Sequence, residues 1–305
     1  MHRAVVARVD FGAVVLQPEG GTPVEATVRG SHMGPRKSLG SAVVVGDVAL
    51  YSEERGRAVV SGIEPRRNAF SRRGVGKHPE EQVVAANLDQ VVVVASIVEP
   101  EFRAGLVDRM LCQAEHAGIP GRLAINKCDL AAEAEVRALV DAYARAGYPA
   151  HRLSARTGEG VEALKHACRG RRSLFAGHSG VGKSTLLNAL APGIDLLAGR
   201  VNPVTGKGRH TTSAAWLITP EPGLELIDTP GIRAFGLWGI GPRDLEQSWP
   251  EFRLRLGQCR FADCRHESEP GCAIQAAAEA GEVSPRRWDS FRKLRAELES
   301  ETVRR

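Results

Sequence analysis

Two short stretches carry residue types that can hold and read a nucleotide. Gly177-x4-Gly182-Lys183-Ser184 lies in "LFAGHSGVGKSTLLNAL", between an apolar run and a helical pattern. Glycines at this spacing let backbone N–H groups close around phosphates at the N-terminus of the next helix. Across Gly177, His178, Ser179, Gly180, Val181, Gly182, Lys183, Ser184 and Thr185, the lysine is positioned to reach the β- and γ-phosphates and the Ser184 hydroxyl to ligate Mg2+. In "LAINKCDL" (123–130), Asn126-Lys127-x-Asp129 offers a carboxylate. That carboxylate can accept from guanine N1–H and the exocyclic N2 amino group. Adenine has a lone pair at N1 and would leave Asp129 buried without partners.

Two weaker signals gain meaning beside these. Asp228-x-x-Gly231 in "ELIDTPGI" ends an apolar strand, where an aspartate can hold Mg2+ through a water and a glycine N–H can meet the γ-phosphate. Ser154-Ala155 fits the short loop that backs guanine O6. The stretch "RRGVGKH" (72–78) imitates a phosphate loop but has no hydroxyl after its lysine and no helix behind it. We reject it on those grounds.

The order of the motifs is unusual. The base-reading residues precede the phosphate loop by about fifty positions, so the chain runs base motif, supporting loop, phosphate loop, Asp-x-x-Gly. Chain ends of compact domains often lie together, so joining them and opening another loop preserves such a site. One consequence is that the segment after Gly231 leads directly into the C-terminal piece. Sensing of a γ-phosphate is therefore expected to move that piece.

Three kinds of element must position these residues. Residues 1–65 alternate valine-rich runs with turns: "RAVVARVD", "GAVVLQP", "PVEATVRG", "AVVVGDVALYS" and "GRAVVSGIE". Five short strands predict a barrel of the oligonucleotide-binding type, with a small sandwich as the competing reading. Residues 66–82 follow as a basic linker, with Arg66, Arg67, Arg72, Arg73 and Lys77 and no acid between 66 and 77. It is either a solvated connector or a strip for nucleic-acid phosphates. From 83 to 240 strands alternate with helices, beginning with the continuous apolar run "NLDQVVVVASIV", and predict an α/β domain with a parallel sheet buried on both faces. Residues 241–305 form a small, mainly helical piece. Its last helix is expected to start at Ser284-Pro285, with Trp288, Phe291, Leu294 and Leu298 on one face.

That last piece also holds Cys259-x4-Cys264-x-His266-x5-Cys272. Three thiolates and an imidazole make a closed tetrahedral set suited to one structural Zn2+, which would replace much of a missing core. Cys112, Cys128 and Cys168 are scattered and read as packing residues.

Composition bounds the rest. At 305 residues, 43% hydrophobic and 25% charged, the chain has the make-up of a multidomain globular protein. No apolar run could span a bilayer and the first residues lack a signal-peptide core, so a cytoplasmic protein with no membrane partner is expected, a monomer by default. The net charge is +5, yet residues 250–305 hold eleven basic and ten acidic residues, so no general basic field marks that piece for RNA.

The permuted order, with a barrel before it and a cysteine cluster after it, resembles the ribosome small-subunit-dependent GTPase family. "AANLDQV" (85–91), "GKGRHTT" (206–212) and "CRFADCRHESEPGC" (259–272) match as well, and the resemblance covers essentially the whole chain. It implies hydrolysis of GTP with Mg2+, stimulated by the small ribosomal subunit, in late subunit maturation through contacts to rRNA. Where Ras-like GTPases place a water-orienting glutamine, this chain has Ile232, which cannot orient water. His210 is the best substitute, and the resemblance assigns the switch histidine that role, so the expected catalytic residues are His210 and Lys183. Thr211 or Thr212 is expected as the second Mg2+ ligand, with Ser213 replacing the family's third threonine. The alternative is a GTP-gated RNA-binding or scaffold protein whose turnover is incidental.

Overall fold

Alternation of inward apolar and outward polar residues curls the N-terminal strands into a closed barrel, seen in a computed structural model that describes residues 1–10, 13–28, 43–74, 76, 79–193, 215–232 and 234–303. The strands are β1 (His2–Val9), β2 (Ala13–Gln17), β3 (Val24–Val28), β4 (Val48–Glu54) and β5 (Arg57–Ile63). Their order β1-β2-β3-β5-β4 closes by β1–β4 pairing, and β3–β5 is the one parallel pair among them. Ala4, Val6, Val14, Leu16, Ala26, Ala49 and Val60 fill the interior, as a period of two requires.

The fourth strand is shorter than the run "AVVVGDVALYS" suggests, starting at Val48. Residues 44–47 turn instead. Gly46 has φ +90 and lies where any side chain would strike the Ala86 carbonyl, while the Asp47 carboxylate accepts from Val44 N at 2.8 Å.

The segment 66–82 is not the linker its charge suggested. It holds β6 (Ala69–Arg73) and the start of β7 (Glu81–Ala86), paired as an antiparallel hairpin. Arg66 clasps the fully buried Asp47 with bonds of 2.7 and 2.9 Å. Arg67 pairs with Asp89 at 2.5 Å, Arg72 donates to Gln82 at 2.8 Å and Arg73 pairs with Glu301. Four of the five cations therefore meet the fold's own acceptors, and Lys77 lies outside the described residues. The hairpin is not legible in the sequence because its one buried aromatic residue, Phe70, packs on Phe235 far along the chain, with ring centroids 5.5 Å apart.

The central domain then runs β8 (Gln90–Ser96), α1 (Ala104–His116), β9 (Gly121–Asn126), α2 (Glu133–Arg145), β10 (Ala150–Arg152), α3 (Val161–Cys168), β11 (Arg171–Gly177), α4 (Lys183–Leu190), β12 (Trp216–Glu221) and β13 (Leu224–Asp228). The sheet order is β10-β9-β8-β11-β13-β12, parallel except for the antiparallel β12–β13 hairpin. Along β8, Val91, Val93 and Ala95 face a core with Val107, Met110 and Leu111 of α1, and Val92 and Val94 face a second core with Leu164, Leu186 and Leu187. Burial on both faces explains the uninterrupted apolar run.

After β13, residues 229–232 and 234–240 run between the β6–β7 hairpin and α1. Arg73 N donates to Gly236 O at 2.9 Å, and the Gln113 amide brackets Trp238 through bonds of 2.9 and 3.2 Å. The C-terminal helices are α5 (Pro242–Gln247), α6 (Pro250–Arg253), α7 (Ala273–Glu279) and α8 (Pro285–Val303). Phe291, Leu294 and Leu298 are buried, as the helical spacing predicted. They share one continuous core with α1 and Ile240. The small domain thus borrows a core from its neighbour and does not depend on metal alone.

The joint is electrostatic as well as apolar. Arg287 of α8 is buried and donates to Asp108 of α1 at 2.6 Å and to Glu251 at 2.7 and 3.0 Å. Tyr143 OH also donates to Asp108, at 2.8 Å. The Cys112, Cys128 and Cys168 thiols are buried and free, as expected of packing residues.

Candidate functional site

Parallel strands ending on one edge bring the separated motifs together. β8, β9, β11 and β13 are adjacent and parallel, so their C-terminal ends present Ser96, Asn126, Gly177 and Asp228 along one rim. Ligand sites of open α/β sheets form at such rims.

The phosphate-type loop is shaped by two glycines. Gly180 and Gly182 have φ of +88 and +86, a region disfavoured for residues with a Cβ. Gly182 also faces the Asn126 amide so closely that no side chain would fit. Three successive carbonyls of the loop are gripped by side chains. His178 Nδ1 donates to Ser179 O at 2.7 Å, Lys127 Nζ donates to Gly180 O at 3.0 Å, and Asn126 Nδ2 donates to Val181 O at 2.8 Å. In a trans peptide the C=O and the next N–H point oppositely. Fixing these carbonyls therefore turns the N–H groups of Gly180, Val181 and Gly182 the other way. Val181 N makes a long 3.5 Å contact with His178 O across the loop.

Asn126 ties two motifs at once, since its Oδ1 accepts from Ala155 N at 2.9 Å. The Ala155 N–H is thus engaged internally, and the loop's contribution is to fix the geometry around Asn126. Lys127 adopts a left-handed conformation, φ +64, and its ammonium also donates to Glu99 O. Neither the Glu99 carbonyl nor this clamp could be read from sequence, because both arise where the β8–α1 loop passes the phosphate-type loop.

Asp129 is half-buried and Arg156 donates to it at 2.6 Å. Hydrogen bonding from Ser154, then from Arg156, holds its carboxyl below the ordinary range. It is therefore an ionised acceptor at neutral pH, as a partner for two adjacent N–H donors must be. Arg156 is 74% exposed, so it can swing aside for a base.

On the other side of the loop, the buried Lys183 donates to Asp228 Oδ1 and to Thr229 O. The Thr229 hydroxyl anchors that turn on Phe175 O at 2.7 Å. Gly231 packs against Ser179, and Ile232 N donates to Gly177 O at 2.9 Å. The Ile232 side chain is only 4% exposed. Nothing at that position can orient water. Ser184 and Thr185 occupy the first turn of α4. His210, Thr211 and Thr212 lie outside the described residues.

The second cluster sits between α6 and α7. The ligand atoms of Cys259, Cys264, His266 and Cys272 all lie within 4.8 Å of one another. His266 Nδ1 is 3.5 Å from both Cys259 Sγ and Cys272 Sγ. Backbone N–H groups of Ala273 and Gln275 point at Cys259 Sγ and Cys272 Sγ, at 3.4 and 3.3 Å. The imidazole is seated between Phe252 and Phe291, and Trp288 Nε1 fixes the His266 carbonyl at 2.8 Å. The donor set and its spacing fit a tetrahedral metal ion.

A carboxylate organises the loop between those ligands. Glu269 accepts from the N–H groups of Arg265, Glu267 and Ser268 at 2.8, 2.9 and 3.1 Å. Burial alone would raise its carboxyl, but these bonds outweigh burial and hold it at about 2. A depressed folded-state value contributes stability above the ordinary 4.5, lost as pH falls toward about 2. Glu269→Gln keeps the shape but removes the charge. The expected loss is about 1 kcal/mol after solvent screening, with faster metal release to a chelator at neutral pH. Unchanged release would remove Glu269 from the loop's support.

The comparisons identify the family and the fold. The RsgA GTPase family model matches residues 63–238, over half of the chain. A curated relative from Gemmatimonas aurantiaca, named small ribosomal subunit biogenesis GTPase RsgA, is 42% identical over 299 residues, covering 96% of each chain. Among solved structures, YjeQ from Thermotoga maritima superposes with a TM-score of 0.76 at 32% identity, covering 97% of this chain and 98% of that one. YloQ, described as a circularly permuted GTPase, has a TM-score of 0.70 at 24% identity, covering 99% and 96%, and speaks for the fold alone.

Proposed function

This chain belongs to the RsgA GTPase family, and we infer that it is a GTP-hydrolysing enzyme of small-ribosomal-subunit biogenesis. The observation that carries the reading is the double role of Asn126. It holds the phosphate-type loop at Val181 O, 2.8 Å, and the Ser154-Ala155 loop at Ala155 N, 2.9 Å. One side chain thereby registers the base-reading half of a permuted site against its phosphate half.

The residue roles follow from chemistry. The N–H groups of Gly180, Val181 and Gly182 bind phosphate oxygens, and Asp129 reads guanine. Lys183, now on Asp228, is placed to reach the β- and γ-phosphates, and Asp228 and Ser184 are the residues that would hold Mg2+. Mg2+ neutralises charge on the transferred phosphoryl group when bound. Because Ile232 is buried, the water-orienting group comes from elsewhere. We assign it to His210, an imidazole that can accept from water near neutral pH, with Thr211 or Thr212 beside it on Mg2+. The Cys3His cluster holds one structural Zn2+.

The partner is the small ribosomal subunit, met through its rRNA, and the nucleotide state sets the strength of that contact. Late maturation is the stage at which such a contact acts. A site without a built-in glutamine turns over slowly alone, so stimulation is the test. GTP turnover is expected to rise by at least tenfold with purified small subunits and to stay at its basal rate with large subunits. Absence of stimulation together with tight, GTP-dependent subunit binding would favour a gated binding protein instead.

A further inference from the structure

Arg103 occupies the N-cap position of α1, where it makes no side-chain cap bond. A cation at a helix N-terminus opposes the helix dipole, and Ser, Thr, Asp or Asn would serve the cap better. Its backbone carbonyl accepts from Leu106 N and Val107 N, both at 3.1 Å, but its side chain contributes nothing to the helix. No carboxylate pairs with it among the described residues. Its guanidinium instead reaches the phosphate loop, with Nη1 3.2 Å from His178 Nε2.

The hydrogen-bond roles are forced by the partners. Ser179 O can only accept, so His178 Nδ1, 2.7 Å away, carries the proton. Arg103 can only donate, so Nε2 offers its lone pair. The chain Arg103 → His178 → Ser179 O is thus a continuous donor relay through one neutral tautomer. Its end point is the carbonyl whose peptide also bears the Gly180 N–H. His178 lines the crevice between β8 and α1 together with Val94, Leu106, Val107 and Gly177, and Pro100 of the same β8–α1 loop lies beside Gly180.

We propose that Arg103 is a positioning residue for phosphate binding, acting through His178 to aim the Gly180 N–H into the nucleotide's phosphates. This rests on the GTP-binding reading above. Asn126 and Lys127 belong to the base motif and hold the next two carbonyls. The Arg103–His178 pair completes the set from α1, the helix that also carries Asp108 and Gln113. No step of hydrolysis passes through either residue. Their effect is on a cradle shared by GDP and GTP, and not on base recognition.

The test is a set of dissociation constants for GDP, a non-hydrolysable GTP analogue and guanosine, measured on the full-length protein and on Arg103→Ala, His178→Ala, the double variant and Arg103→Lys. Both single alanine variants are expected to weaken GDP and the analogue by the same factor, about five- to tenfold, with guanosine unchanged. The double variant should be no weaker than His178→Ala, because Arg103 acts through the imidazole. Arg103→Lys, which keeps a donor, should recover most of the loss. Losses that multiply in the double variant, an equal loss for guanosine, or no loss at all would overturn the proposal. Failure of the unmodified protein to bind any of the three ligands would instead sink the GTP-binding reading itself.

Discussion

Asp129→Asn is expected to lower GTP affinity by on the order of 10⁴-fold while leaving the fold intact. Asp129 accepts from Arg156 at 2.6 Å and is held ionised by Ser154 and Arg156, so both oxygens are available as acceptors. Guanine offers two parallel donors, N1–H and the N2 amino group. An asparagine keeps one acceptor and turns an amide N–H toward the second donor, so one hydrogen bond is lost and a repulsion is added. Xanthine carries a carbonyl at C2 where guanine has the amino group, and that carbonyl can accept from the new amide. The variant should therefore bind xanthosine triphosphate better than GTP. Competition binding with the two nucleotides checks this. Retained GTP preference would mean that the base is read by other groups. Because Asp129 lies on the rim and its ion-pair partner Arg156 is 74% exposed, the expected change in unfolding free energy is within about 0.5 kcal/mol.

Arg287→Met should destabilise the protein by about 3–5 kcal/mol. The guanidinium is 1% exposed and neutralises Asp108 and Glu251, which are 0% and 4% exposed. It also lies over Trp249, Tyr148 and Tyr143, 4.6, 5.2 and 5.4 Å from their ring centroids. Burial works against the charge, but Asp108 and then Glu251 outweigh it and hold the arginine firmly protonated. Methionine replaces much of the volume but leaves Asp108 and Glu251 buried with no paired cation among the described residues. Asp108 Oδ2 already lacks a hydrogen-bond partner, so little slack remains. The measurement is a denaturant titration followed by two probes, since a chain of several domains need not unfold in one step. A loss below 1 kcal/mol would show that the joint between α1 and α8 is held by apolar packing alone. Replacing Arg287, Asp108 and Glu251 together by Met, Leu and Leu should recover most of the loss, because an apolar set of similar volume avoids the desolvation cost.

These two sites bracket the consequence of the permuted order. The chain leaves β13 at Asp228, passes Ile232 packed in the core, is held by Gln113 and by the β6–β7 hairpin, and enters α5. α1 touches this path at Trp238, the phosphate loop through Arg103, and the C-terminal domain through Asp108 and Arg287. A change at the phosphates therefore has a short covalent and packed route into the last domain.

The sequence by itself determined whatever rests on local chemistry. The five barrel strands, the α/β alternation, the glycine-shaped phosphate loop, the base motif, the Cys3His spacing and the apolar stripe of α8 each depend on neighbours a few residues away, and each is legible in a short window. Only the tertiary structure decided the rest. The segment 66–82 reads as a basic connector because its partners, Asp47, Asp89, Phe235 and Glu301, are distant in sequence. The last domain reads as dependent on metal because the core it borrows belongs to α1. The same holds for Arg103, which carries no motif at all and acquires a role only where α1 meets the loop at His178. Charge and hydrogen-bond partners are satisfied in three dimensions, and a residue's spacing along the chain does not record who satisfies it.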